Sequence, residues 1–466
     1  MTMQNPGGTL PAGEGPKASP SGAGSVTLAT ATALAIADMV GIGVFTSLGF
    51  QVKDLPSGFS LVLLWTVGGV MALCGALSYA ELAAAFPRSG GEYNFLSRIY
   101  HQAVGFLAGW VSATIGFAAP VAAAAWAFGK YLSGVAPGIP EFLAALALVW
   151  LATLVQLRGI QHASMFQNLT TLLKVALILL FIIVGLAFGE RQPISFAPSA
   201  ADFGYVMSAP FFISLFFVMY SYAGWNAATY IAGEIRDPRR DLPLSMLIAV
   251  ATVTVLYVAL NAVFLYTTPI AKLAGQLDVG LVAGRQIFGD AGGRIVGALI
   301  CIGLVSAVSA MMWIGPRVTM AMGEDLPLLS ILSRKTRGGV PAVAILVQAV
   351  IATAMLWTDT FETLVKFVQF SLTFCSFLAV LGVIVLRRTR PDLPRPYRVW
   401  AYPLPPLLFL AMSLFMMIYL LREQPREALI GVGIMLTGLL IYFVSRLVGP
   451  SPLARSGETA MDPSGR

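Results

Sequence analysis

The residues best able to do chemistry lie where chemistry is expensive. Asp38, Gly41 and Gly43 sit inside an apolar run, 25–50, long enough to cross a bilayer, which takes about 20 helical residues. Glycine weakens a helix and lets another group approach the backbone. Unwound backbone at bilayer depth is tolerated only where it lines a cavity. The stretch Asp38-Met39-Val40-Gly41-Ile42-Gly43 therefore reads as a helix broken at a binding site. About five apolar runs later a second cluster, Tyr220-Ser221-Tyr222-Ala223-Gly224-Trp225-Asn226, interrupts a spanning segment in the same manner. Interrupted segments in corresponding positions of two halves point to a secondary transporter with inverted repeats. A helix-packing face of small residues is the alternative.

Two charges accompany the breaks. Lys174 lies near the centre of the run 166–188, too deep for its side chain to reach either interface comfortably at 1.5 Å of rise per residue; snorkelling is the alternative. Asp38 costs roughly 2.5–3.5 kcal/mol at the bilayer centre and is too short to snorkel, so it needs a partner or a proton. Three roles are open to it: a structural pair with Lys174, a titrating group that couples transport to protons, and a counter-ion for an amine or cationic substrate. In the run 295–322, Ser306 and Ser309 share a helix face at i, i+3 spacing.

The elements that must position these residues are membrane helices. Of 466 residues, 57% are hydrophobic and 11% charged, where a soluble domain carries roughly 25% charge; mean hydropathy is +0.81. Twelve candidate spans follow one another: 25–50, 60–84, 104–133, 141–157, 166–188, 207–233, 242–267, 295–322, 339–358, 361–386, 402–421 and 427–447. Each is apolar all round, without the alternation of a membrane barrel. The fold class expected is an all-α integral membrane protein with twelve transmembrane helices in a lipid bilayer. The flanks 1–24 and 449–466 are rich in Gly, Pro, Ala and Ser and read as disordered tails around a transmembrane domain, 25–448. The first run is too long for a signal peptide. Loops after the even-numbered spans carry more arginine, for example Arg236, Arg239 and Arg240, or Arg387, Arg388, Arg390, Arg395 and Arg398. The positive-inside bias puts both termini in the cytoplasm of a cell-membrane protein.

Several functions are disfavoured. The net charge of +7 comes from loops, with no basic run interleaved with stacking aromatics, so no nucleic-acid partner is expected. Cys74, Cys301 and Cys375 all fall inside apolar runs, and His101 and His162 are the only histidines, too few for the usual three-ligand zinc centre. No metal, cofactor or catalytic constellation of an enzyme is expected. Glu81, Arg88, Glu234, Arg236 and Arg317 at span ends read as inner-gate and loop contacts. Trp65, Trp126, Trp150 and Trp357 near span ends read as interfacial belt residues.

The order of motifs resembles the amino acid–polyamine–organocation transporter superfamily, specifically its bacterial amino acid permeases with a LeuT-type fold. The motifs are Gly41-Ile42-Gly43-Val44-Phe45, the loop from Glu81 to Tyr93 (ELAAAFPRSGGEY), Trp225-Asn226 followed by Glu234-Ile235-Arg236-Asp237-Pro238, then Pro316-Arg317 and Arg395-Pro396-Tyr397-Arg398. The resemblance spans about 26–446.

It implies that spans one to five and six to ten form a 5+5 inverted repeat, with two helices appended and substrate held between the breaks. N–H groups of Gly41, Ile42 and Gly43 would bind an amino acid carboxylate, aided by the positive end of the helix dipole. Its ammonium would take carbonyls of Met39 and Val40 and, in span six, of Tyr220, Ser221 and Ala223 beside Gly224. Tyr220 falls where relatives place an aromatic gate. Lys174 resembles a stand-in for the sodium ion of sodium-coupled members, bridging carbonyls around Ala37 and Val40 to Ser306 and Ser309. The function implied is alternating-access transport of amino acids by sodium-independent exchange or proton symport. A polyamine or other organic-amine permease of the same fold is the alternative.

Overall fold

The computed structural model describes residues 24–276, 278–336, 338–357, 361–423 and 425–447. Of the expected tails, 1–24 and 449–466, residues 1–23 and 449–466 lie outside the described residues.

Helices form wherever an apolar run is long enough, and their ends follow local chemistry. Thr27 accepts from the Thr30 N–H to start Leu28–Met39, and Ser57 accepts from Ser60 to start Gly58–Ala85. Pro238 opens Pro238–Thr267, where its missing N–H costs nothing. Other long helices are Ile160–Phe188, Phe361–Thr389, Leu404–Glu423 and Pro425–Leu447. The third span comprises Gln102–Val111, a π turn over Ser112–Gly116, and Ala118–Val135.

Among the described residues, nine helices are long and apolar enough to cross a membrane, or ten if the pair Ala200–Val206 and Ala209–Ser221, bent by 65°, is one span. Two of the twelve expected spans are occupied by shorter apolar helices, Glu141–Leu157 (17 residues) and Ala342–Leu356 (15 residues). At 1.5 Å per residue the shorter reaches about 22 Å, less than the ~30 Å hydrocarbon core. Length and composition by themselves thus support nine or ten crossings of an all-α, multi-pass membrane protein.

Other departures have local causes. The eighth span begins at Ala291 and runs to Asp325, and the helix before it, from Val279, turns at Gly289, whose φ of 69° glycine tolerates. Short helices at Glu92–Ile99, Ala200–Val206 and Ile270–Leu273 occupy stretches read as loops. Trp65 is fully buried, its indole N–H donating to Gln51, because a partner for the ring nitrogen is available inside the bundle. Trp357 is 75% exposed.

The two interrupted helices are held from three sides. Pro238–Thr267 packs along both Gly58–Ala85 and Leu28–Met39, while the eighth span packs on the third, and Ile160–Phe188 contacts both groups. Val26 pairs with Ile235 in an isolated parallel bridge. Its N–H donates to the Glu234 carbonyl, and the Arg236 N–H returns to the Val26 carbonyl, both at 2.9 Å. That pairing fixes the start of span one to the chain leaving span six.

Candidate substrate site between two broken helices

The first break spans Val40 to Ile42, between Leu28–Met39 and Gly43–Gln51. Val40 leaves helical geometry with ψ of 79° while its N–H still donates to Ile36. The second follows Ala209–Ser221, and Gly224 adopts a φ of 102° before Ala227–Tyr230 begins. The breaks touch. A Cβ on Gly43 would lie 2.6 Å from the Ser221 hydroxyl oxygen, and one on Gly224 would lie 2.6 Å from Asp38 Oδ2. Both glycines are thus required by close approach, and Gly224 by its conformation as well.

Tyr257, from Pro238–Thr267, joins the breaks. Its buried hydroxyl reaches the Met39 carbonyl at 2.6 Å and the Ser221 carbonyl at 3.0 Å, sharing one proton between them. This residue escapes sequence reading, since one aromatic in an apolar run carries no signal of where it points.

Lys174 is buried, and its ammonium donates to the carbonyls of Ala37 at 3.1 Å and Val40 at 2.6 Å. Those carbonyls sit at the C-terminal, negative end of the first half-helix, where a cation is favoured. The serines expected to complete a bridge are otherwise engaged. Ser306 bonds with Gln167 and Thr171, at 3.2 and 3.3 Å, and Ser309 accepts from Gln156 at 3.3 Å. Lys174 meets the eighth span at Gly303, where an added Cβ would lie 3.6 Å from Lys174 Cε.

Asp38 and Lys174 form no ion pair within 4.0 Å. The direct structural pair is therefore not formed: Lys174 spends its protons on carbonyls, and Asp38 turns to Gly224 across the other break.

A cavity of about 190 Å³ opens between the breaks. Met39, Gly41, Ile42, Gly43, Tyr220, Ser221, Ala223 and Gly224 line it, as does Asp38. Val40 does not; it borders a separate 30 Å³ crevice beside Lys174, which corrects its expected place. The expected donors and acceptors are also partly committed. Gly41 N–H donates to the Met39 carbonyl at 2.9 Å, which leaves Ile42 and Gly43 at the head of the outer half-helix, where N–H groups have no intrahelical partner. The carbonyls of Met39, Val40 and Ser221 carry bonds to Tyr257 or Lys174, whereas Ala223 carries none of these.

Glu92 also lines this cavity. It is buried, accepting from Tyr79 at 2.8 Å, Asn226 at 2.7 Å and Tyr230 at 2.5 Å. The sequence shows its place in the Glu81–Tyr93 motif but not its role there.

Beyond the cavity, Ile42 and Thr46 form part of a vestibule of about 580 Å³ whose charged lining residues are Lys130, Asp278, Arg285 and Arg294. On the opposite face, where Val26 pairs with Ile235, ion pairs join distant segments. Glu234 meets Arg317 at 2.8 Å, Arg88 meets Asp325 at 2.9 Å and Glu324 at 3.2 Å, and Glu81 meets Arg387 at 2.6 Å and Arg395 at 3.4 Å.

Comparison with known proteins identifies relatives of the chain. A family model described as amino acid permease matches residues 26–445. The large neutral amino acids transporter small subunit 2 of Oryctolagus cuniculus is 28% identical over 95% of this chain and 85% of its own length. The b(0,+)-type amino acid transporter 1 of Mus musculus is 26% identical over 90% and 87%. The cystine/glutamate transporter of Homo sapiens is 30% identical over 90% and 84%.

Proposed function

The chain belongs to the amino acid permease family, and on that premise we propose that it carries amino acids across a cell membrane by alternating access. The observation that carries the reading is the cavity between two touching helix breaks. The relatives named above are amino acid transporters, which favours amino acids over the polyamine alternative.

The substrate carboxylate faces the N–H groups of Ile42 and Gly43, and the ammonium faces the carbonyl of Ala223. Tyr220 covers the bound substrate. Tyr257 keeps the two breaks in register. Twelve crossings, arranged as a 5+5 repeat with two appended helices, suit the placement of the breaks in the first and sixth segments. Arginine-rich loops put both termini in the cytoplasm, so the vestibule faces outward and the ion-paired face is the closed inner gate.

Lys174 occupies the space between Ala37 and Val40 carbonyls, which supports sodium-independent exchange or proton symport. The test is uptake of a labelled amino acid panel by the purified protein in liposomes, with sodium, proton and counter-substrate gradients imposed separately. Uptake unchanged when choline replaces sodium, and driven by counter-substrate or protons, is expected. Uptake that requires sodium contradicts the reading.

A further inference from the structure

Among the described residues, two carboxylates meet the central cavity and no basic residue does. Asp38 and Glu92 line it, and none of its lining residues is lysine, arginine or histidine. They approach the same short stretch of unwound chain from two sides. Asp38 abuts Gly224, and Glu92 accepts from Asn226, two residues further on. Glu92 is held by three neutral donors, Tyr79, Asn226 and Tyr230, and neither carboxylate has an ion-pair partner within 4.0 Å among the described residues. Lys174 lies behind the first break and gives its protons to carbonyls.

Buried charge without a counter-charge is costly, so each carboxylate takes either a proton or a cationic partner, and a cationic group entering the cavity supplies that partner. From this juxtaposition we infer that the permease selects amino acids whose side chain is positively charged, ending in an amine or a guanidinium, with Asp38 and Glu92 as specificity-determining counter-charges. This inference rests on the amino acid permease reading and adds the substrate class to it.

The remainder of the cavity suits such a substrate. Met219, Met311 and Leu372 offer apolar surface to an alkyl stem, and the aromatic residues Phe117, Trp225 and Tyr230 also line the cavity, a residue type suited to a cation. The α-carboxylate meets Ile42 and Gly43 and the α-ammonium meets the Ala223 carbonyl, which leaves the side-chain cation to the two carboxylates.

The vestibule carries the opposite sign, with Lys130, Arg285 and Arg294 against Asp278. Those three basic residues are solvent-exposed, so their field is screened over about 8 Å at physiological salt. The cavity carboxylates act at contact in a poorly solvated space, where the same charge counts several-fold more. The cavity therefore sets selectivity, and the vestibule sets only the rate of approach.

The test is competition against labelled arginine uptake in proteoliposomes, using unlabelled lysine, arginine, leucine, glutamate and agmatine, an amine lacking the α-carboxylate. Lysine and arginine are expected to compete at least tenfold better than leucine or glutamate, and agmatine to compete weakly. In Asp38→Asn and in Glu92→Gln the ratio of arginine to leucine affinity should fall about tenfold, a ratio independent of how much protein folds.

If the variants do not fold, thermal stabilisation of the wild-type protein by arginine against leucine decides the point. Leucine or glutamate matching arginine overturns the substrate class while leaving the permease reading intact. A folded wild-type protein that responds to none of the amino acids overturns both. A variant ratio equal to wild type overturns the assignment to these two residues.

Discussion

The two faces of the molecule close by different means. On the face where Val26 joins Ile235, three ion-pair clusters tie together segments far apart in the chain, and Arg317 is 1% exposed against a Glu234 that is 12% exposed. On the other face, the charged residues of the vestibule form no ion pair among the described residues, and the space between them is about 580 Å³. The contrast suits a transporter at one end of its cycle. The paired face must break several desolvated contacts together to open, whereas the charged residues of the open face have no ion pair to give up among the described residues. Opening of the paired face is thus expected to be the costlier step, one that bound substrate must offset.

The contrast yields predictions of decreasing size. Glu234→Ala strands the buried Arg317 guanidinium, and removing one partner of such a pair costs about 3–5 kcal/mol. The melting temperature in detergent should drop clearly, and Arg317→Met in the same chain should restore part of it; an unchanged melting temperature removes this pair from the closed face. Tyr257→Phe leaves the Met39 and Ser221 carbonyls without their shared donor, at about 1–3 kcal/mol. Because that hydroxyl spans both breaks, uptake should fall more than stability, and equal losses would make Tyr257 a packing residue only. Arg285→Gln with Arg294→Gln, on the open face, should shift melting by no more than about 1–2 °C. These two changes should act instead on the salt dependence of uptake, which flattens. A large loss of stability there would erase the asymmetry between the faces.

Part of this arrangement is legible in the residues alone. Glycines at 41 and 43, and small residues at 221, 223 and 224, are conspicuous inside runs where leucine and valine would serve, so both helix interruptions are visible as exceptions to composition. Lys174 stands out for the same reason.

What depends on three dimensions is not legible there. Ser306 and Ser309 do share a helix face, but Gln167, Thr171 and Gln156 from other helices reach them first. Spacing within one helix cannot reveal a competitor on another. Pairing Asp38 with Lys174 is an economical way to hide two charges, yet helix-end carbonyls take the lysine protons instead. Trp65 reads as a membrane-interface residue because it lies near a span end, whereas Gln51, on the outer half of the broken first span, gives it a buried partner. Glu92 lies inside a recognised motif, but motif membership does not disclose that Tyr79, Asn226 and Tyr230 converge on it.

The central claim is that an amino acid sits between the two breaks. Gly43→Leu puts a side chain where even a Cβ would approach the Ser221 hydroxyl oxygen to 2.6 Å, and it fills the space facing the outer half-helix. Counterflow of labelled amino acids in proteoliposomes made from equal amounts of monodisperse wild-type and variant protein tests the claim directly. Wild type is expected to accumulate label without sodium, and Gly43→Leu to remain at the level of protein-free vesicles. Counterflow by the variant at half the wild-type rate or more would contradict the account.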